Sequence, residues 1–294
     1  MTSQVQQSPI LIFGSGRSGT TWLAETVNCD RTYRFFFEPF NNRKIDWLKH
    51  FIFHSQYLRS SCTDPSYVDP IRKVLAGTVT HPWVIRRHGK HDRAKTNHIL
   101  IKDIRIHFLV NWIKRHYPDS PMIFILRHPC AVATSRIQLN WDDCLDALLG
   151  QDELVNDYLA PLAAPLRSLN DPFERNIAIW AIENYVPLRQ FSAGEVHILH
   201  YEHLCCQFQS EIEQVFTYLG RNVPMGIEKM AQRPSALVSH NSAILKGKDK
   251  LSNWMNFCTT AQTDRAIEIL SWFGLDRLYG KGFLPLMHGF QWMS

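Results

Sequence analysis

Short apolar runs alternate along this chain with longer stretches in which apolar residues recur at helical spacing. Residues 10–13 (Ile-Leu-Ile-Phe), 33–37 (Tyr-Arg-Phe-Phe-Phe), 99–101, 121–126 and 195–200 read as strands. Runs this short and this apolar suit strands buried on both faces, as in a parallel sheet. Between them, helical spacing predicts helices over 21–28, 42–58 (Ile45, Leu48, Phe51, Ile52), 106–116, 172–191, 210–219 and 261–273. One more starts at Pro129, the first-turn position that proline favours, and carries Ser135 and Arg136. Residues 141–170 are acidic and then punctuated by Pro161 and Pro165, which predicts short helices or a mobile cover; 235–253 is polar and loop-like. Strands alternating with helices predict an α/β, P-loop-type three-layer fold: a central, mainly parallel sheet flanked by helices. No internal repeat interrupts the pattern, and a single domain over 1–294 is expected, with 1–8 a flexible N-terminus.

The first strand runs into Gly14-Ser15-Gly16-Arg17-Ser18-Gly19-Thr20-Thr21 and then a helix. Strand, glycine loop and helix together grip phosphate, because successive backbone N–H groups converge on the anion and the helix N-terminus adds partial positive charge. A nucleoside-triphosphate loop needs G-x-x-x-x-G-K-[ST]. Gly14 and Gly19 have that separation, but Thr20 stands where the Lys belongs and the cation lies earlier, at Arg17. That disfavours ATP or GTP turnover and leaves a short anionic group as the ligand. The plain alternative is a strand–turn–helix whose glycines only make the turn.

Composition narrows the setting. Of 294 residues 45% are hydrophobic, which makes the chain globular. The net charge of +5 suits a small anionic ligand and is too weak to argue for nucleic acid. Seven cysteines with no C-x-x-C support neither a disulfide framework nor a zinc site, and no metal is expected. Reduced thiols fit a cytoplasmic protein. The N-terminal octet has no apolar core, and no run of eighteen apolar residues occurs, so neither a signal peptide nor a transmembrane segment is expected.

Other candidate groups sit where strands end, the place where ligands collect in open α/β sheets. Glu38 follows the second strand and Lys102 closes the third. Arg127 ends the fourth, with Ser135 eight residues on, so a guanidinium fork and a hydroxyl could meet one anion. Residues 86–95 (R-R-H-G-K-H-D-R-A-K) form a basic loop, either a solvated face or a rim for an anionic acceptor or for cofactor phosphates. His88, His91 and His98 have no convincing metal spacing.

Taken together, G-S-G-R-S-G-T-T-W-L resembles the 5′-phosphosulfate loop of the sulfotransferases that use 3′-phosphoadenosine 5′-phosphosulfate (PAPS), and M-I-F-I-L-R-H-P-C-A-V-A-T-S-R their 3′-phosphate motif. The pair stands in family order about 110 residues apart, and the resemblance runs from residue 9 to about 254. Arg17, the F-E-P segment at Phe37-Glu38-Pro39 and the I-K-D-I-R segment at 101–105 are more similar to the carbohydrate and protein-tyrosine sulfotransferases than to the cytosolic phenol enzymes, whose catalytic His position is Ile104 here. The resemblance implies sulfuryl transfer from PAPS, with 3′-phosphoadenosine 5′-phosphate (PAP) as product, to an acceptor hydroxyl on a carbohydrate, glycolipid or other small molecule. It implies Glu38 as base, with Arg17 and Lys102 at the leaving group. It implies donor contacts from Ser15, Gly16, Arg17, Ser18, Gly19, Thr20 and Thr21 at the 5′ end and from Arg127 and Ser135 at the 3′ end. Tyr201, in the H-Y-E-H-L segment that is similar to the family's Y-E-D-L, would lie near the adenine. Lys246 and Gly247 would belong to a late loop closing over the nucleotide.

For Glu38 the plain alternative is a strand-end carboxylate that only salt-bridges Arg17 or Lys102. His107 is a rival base, expected to face out of the following helix. An atypical P-loop kinase and a non-catalytic nucleotide- or polyanion-binding module are the rival functions. The acceptor's identity and the oligomeric state are not legible.

Overall fold

The computed structural model describes residues 8–51, 53–87, 98–232 and 251–293. Five strands form one sheet: β1 (Ile10–Phe13), β2 (Arg34–Phe37), β3 (Ile99–Asp103), β4 (Met122–Leu126) and β5 (His197–His200), in the order β2-β3-β1-β4-β5. Every pairing is parallel. Alternation along the strands divides their side chains between two cores. Ile10, Ile12, Phe35, Phe37, Leu100, Ile123, Ile125 and Leu199 face one layer of helices. Leu11, Phe13, Phe36, Ile101, Met122, Phe124, Leu126 and Ile198 face the other. The first layer holds α1 (Thr20–Val27) and, late in the chain, two consecutive helices at Tyr201–Cys206 and Phe208–Tyr218. The second is built around α4 (Val110–His116), α5 (Pro129–Gln138), the long helix Pro172–Gln190 and the helix Thr260–Ser271. This is the expected three-layer α/β arrangement.

Parallel register brings all the strand ends to one edge. Phe37 pairs with Lys102, Phe13 with Asp103 and with Phe124, and Leu126 with His200. Gly14, Glu38, Lys102, Arg127 and Tyr201 therefore emerge at the same level, each from a different strand. The sequence direction reverses about β1, between β3 and β4, which is the switch point where α/β sheets open a crevice.

One expectation is corrected. The helix over 42–58 is absent: only a 3₁₀ turn at Asp46–Leu48 forms. Ile45, Leu48 and Phe51 are buried as the spacing required, but the Asn42 amide donates to the carbonyls of Phe51 and Phe53, replacing helical bonds with side-chain ones; Ile52 lies outside the described residues. Of the two readings of residues 141–170 the short helices hold: Leu145, Leu148, Leu149, Leu154, Leu159 and Leu166 are buried on short helical pieces. Several helices were not anticipated, among them α3 (Pro82–Ile85) and the longer α2 (Pro65–Leu75), although Asp64 caps α2 from the side chain and Pro65 opens it. The N-terminal residues 1–7 lie outside the described residues, as do 88–97 of the basic loop and most of the late polar segment. Among the described residues no helix is long and apolar enough to cross a membrane.

His107 does not face outward. It precedes α4 and is fully buried, edge-on to Phe13 and Phe124 at centroid distances of 6.0 and 6.4 Å. Neither ring nitrogen has a partner among the described residues, and burial pushes its pKa down to about 4. Burial does the same to His128 and His197. A ring that is neutral when folded and has an ordinary value of 6.5 when unfolded contributes stability fully above that value, and loses it as pH falls towards 4. Each such ring removes up to about 1.4 kcal/mol per pH unit across that window. The urea midpoint is therefore expected to fall from about pH 7 to about pH 5, and His107→Leu to flatten the fall. A midpoint independent of pH in both proteins would contradict the burial of neutral histidine.

Candidate active site

The glycine loop is braced from below. Ser15 is fully buried; its hydroxyl accepts from the Asn184 amide at 3.0 Å, with the Glu183 carboxylate beside it. Its side chain therefore points into the core, towards two polar groups of the long helix. Arg136, one residue past Ser135, pairs with Glu183 at 2.7 Å and reaches the Gly16 carbonyl at 3.4 Å. Gly19 begins α1 at φ +87° and supplies no side-chain cap, so the first-turn N–H groups of Thr20 and Thr21 have no helical partner. The Ser18 hydroxyl is buried with no partner among the described residues.

Arg17 is one of four described non-glycine residues in the left-handed region, at φ +82°. Its carbonyl accepts from Arg127 Nη1 at 2.7 Å, and its own Nε donates to Ser135 Oγ at 3.0 Å. The two anion motifs, 118 residues apart, thus meet through Arg17. The side chain leans towards Ser135, and not towards Glu38 as the plain alternative for that carboxylate had it. Burial, then the Arg127 charge, lower its pKa.

Tyr201 closes the same side. Its ring lies 4.4 Å beneath the Arg127 guanidinium carbon and edge-on to Trp22. A Cβ on Gly19 would sit 2.6 Å from Tyr201 Cδ2, in a backbone conformation costing L-residues about 1–2 kcal/mol. Gly19→Ala is therefore expected to displace the ring and destabilise the fold by about 1–2 kcal/mol. An unchanged urea midpoint would show that the loop and ring need not touch.

Across β1 lies a second cluster. Glu38, buried and left-handed at φ +46°, accepts from Lys102 Nζ at 2.6 Å and from Arg105 Nη1 at 3.0 Å. Burial would raise its pKa, but the Lys102 and Arg105 charges and their hydrogen bonds outweigh that and hold it below the ordinary value. Its partners are Lys102 and Arg105, and not Arg17, which is turned away. Asp103 ties the cluster together by accepting from the backbone N–H groups of Phe40 and Arg105, each at 2.8 Å, and burial pushes its pKa up to about 6. Arg105, Asp103 and the Arg136–Glu183 brace were missed from the sequence; I-K-D-I-R was in view, but nothing in spacing says which charges turn back on Glu38. Trp141 was missed too. Its ring edge would lie 2.5 Å from a Cβ at Gly16, so it roofs the loop between the two clusters.

Lys246 and Gly247 lie outside the described residues. Among the described residues no His, Cys, Asp and Glu cluster could hold a metal ion.

Comparison with known proteins bears on the fold and the family. Solved structures with the same fold include the sulfotransferase domain from the curacin biosynthetic pathway (16% identity over 89% of this chain and 96% of that one, TM-score 0.50). Another is the sulfotransferase domain from the Synechococcus PCC 7002 olefin synthase (15%, 90% and 94%, TM-score 0.50). Mouse sulfotransferase SULT7A1 complexed with PAP is more distant (14%, 92% and 85%, TM-score 0.48) and carries no argument about this chain. No curated protein matches the sequence. The sequence profile described as "Sulfotransferase family" matches residues 9–224, well over half of the chain, and the chain belongs to that family.

Proposed function

We propose that this chain, acting as a single domain, moves the sulfuryl group from PAPS to an acceptor hydroxyl at the carboxyl edge of its sheet. The observation that carries this reading is the Arg17–Ser135 hydrogen bond, which joins a 5′-type anion loop to a 3′-type anion pair. A nucleotide bearing anionic groups at both ends suits that arrangement; a triphosphate, which needs a Lys at the loop end, does not.

The donor supplies an activated sulfuryl group on a phosphate leaving group. The loop N–H groups, the unpartnered Ser18 hydroxyl and the first turn at Thr20 and Thr21 would receive the 5′ end, beside Gly16 and Gly19. Arg127 and Ser135 would hold the 3′-phosphate and Tyr201 the adenine, with Lys246 and Gly247 closing over it. Arg17, within reach of both ends, would offset charge on the leaving phosphate, as preorganised donors do when they contribute about 10²–10³-fold to rate. Lys102 would turn its ammonium from Glu38 towards the transferring group. That exchange would leave Glu38 Oε1 free to take the acceptor proton while Arg105 keeps hold of Oε2. The low pKa that the ion pairs impose on Glu38 would rise as Lys102 leaves, bringing the base closer to its working range.

Calorimetry with PAP, with adenosine 5′-phosphate and with ATP plus magnesium tests the reading. PAP is expected to bind tightly and the other two weakly. Equal affinity for ATP, or magnesium-dependent ATP consumption, would favour the kinase reading instead.

A further inference from the structure

Resting on that reading, a group of cations on the β2 side of the site says something about the acceptor. Phe37, the residue before Glu38, has three cations over its ring: Arg86 at 4.1 Å, Lys102 at 4.7 Å and Arg87 at 5.0 Å. Arg86 also lies 3.6 Å over Trp83, and Lys44 Nζ lies 5.9 Å from the same indole. Most of these cations are neutralised. Lys102 and Arg105 share Glu38, and Arg87 pairs with Glu25 at 2.6 Å. Five cations (Lys44, Arg86, Arg87, Lys102, Arg105) face three carboxylates (Glu25, Glu38, Asp103), so two positive charges are left over. They are those of Arg86 and Lys44, both exposed, which have no carboxylate partner among the described residues.

Stacking on two aromatic rings fixes the Arg86 plane and leaves its N–H donors directed at whatever lies beside it. It is close enough to feel the Glu38 charge. The sheet order assigns the two halves of the site. Arg127, Ser135 and Tyr201 stand at the ends of β4 and β5, on one side of the loop, whereas Arg86 and Lys44 stand by β2, two strands away on the other. Strands are about 4.8 Å apart, so β2 lies about 10 Å from the loop-bearing strand, the span of a sugar ring or an aryl group rather than of the donor's own phosphates.

We propose that Arg86 and Lys44 form an anion subsite for the acceptor, so that the molecule sulfonated carries its own carboxylate or sulfate beside the reacting hydroxyl.

The test compares para-nitrophenyl β-glucuronide with para-nitrophenyl β-glucoside, which differ in a carboxylate against a hydroxymethyl group. With the wild-type protein, kcat/KM is expected to favour the glucuronide about tenfold or more, the scale of one desolvated charge-assisted contact. Arg86→Gln and Lys44→Gln should each shrink that ratio, the double variant should bring it near one, and Arg86→Lys should keep part of it. A wild-type ratio near one, or variants that slow both acceptors in parallel, would overturn the subsite and leave the transferase reading standing. Calorimetry of the two glycosides with PAP-loaded protein separates the failures. Tighter glucuronide binding without any sulfonated product would keep the anion subsite and count against the transferase. Binding no tighter than that of the glucoside would overturn the subsite.

Discussion

Glu38→Gln is expected to lower kcat by about 10²–10⁴-fold, the usual contribution of a general base, while PAP affinity stays within a few-fold. The structure adds a second consequence. Glu38 accepts from two cations, and its side chain is only 9% exposed. A neutral amide leaves Lys102 and Arg105 buried and poorly matched, and removing one partner of a buried pair typically costs about 3–5 kcal/mol. The variant should therefore melt earlier, and its rate has to be referred to the folded fraction. Glu38→Gln/Arg105→Met separates the base from a mere strut, because it removes one of the stranded charges. Recovered melting temperature with the rate still down identifies Glu38 as the base. Stability and rate recovering together would reduce Glu38 to an ion-pair anchor.

Arg127→Ala is expected to weaken PAP by at least about 30-fold, the low end of what truncating one side of a buried charge-assisted contact costs. Adenosine 5′-phosphate, which lacks the 3′ group, should lose much less. Its loss should not be zero, because Arg127 Nη1 also holds the Arg17 carbonyl at 2.7 Å and its guanidinium packs on Tyr201. Arg127→Lys keeps the charge without the fork and should fall between. Equal losses for both nucleotides would make Arg127 a brace of the loop and remove it from the 3′ end.

The sheet was legible because strands buried on both faces must be short and apolar throughout, and residues 10–13, 122–126 and 99–101 satisfy that with little ambiguity. The strand ends then brought Glu38, Lys102, Arg127 and Tyr201 to one edge, as parallel register requires. What was not legible depends on side-chain direction and on contacts distant in sequence. Helical spacing between residues 42 and 58 was real as burial but false as conformation, since one asparagine amide took two carbonyls that a helix would have used. The Ser15 hydroxyl accepts from Asn184, 169 residues on, a contact that no local spacing announces. Arg17 was legible as the cation of the glycine loop, but its hydrogen bond to Ser135, 118 residues on, is a direction that no local pattern encodes. His107, read as outward-facing, packs edge-on against the stacked Phe13–Phe124 pair, a contact between rings distant in sequence.

The most direct test of the account is to follow the sulfur itself. The purified protein would be incubated with sulfur-labelled PAPS, a metal chelator and a panel of saccharides, uronides, glycolipids, phenols and peptides, and the products separated. The account expects label in a sulfate ester of at least one acceptor, PAP formed in equal amount, and loss of both with Glu38→Gln. Label that stays on the donor, or leaves only as inorganic sulfate whichever acceptor is present, would contradict it.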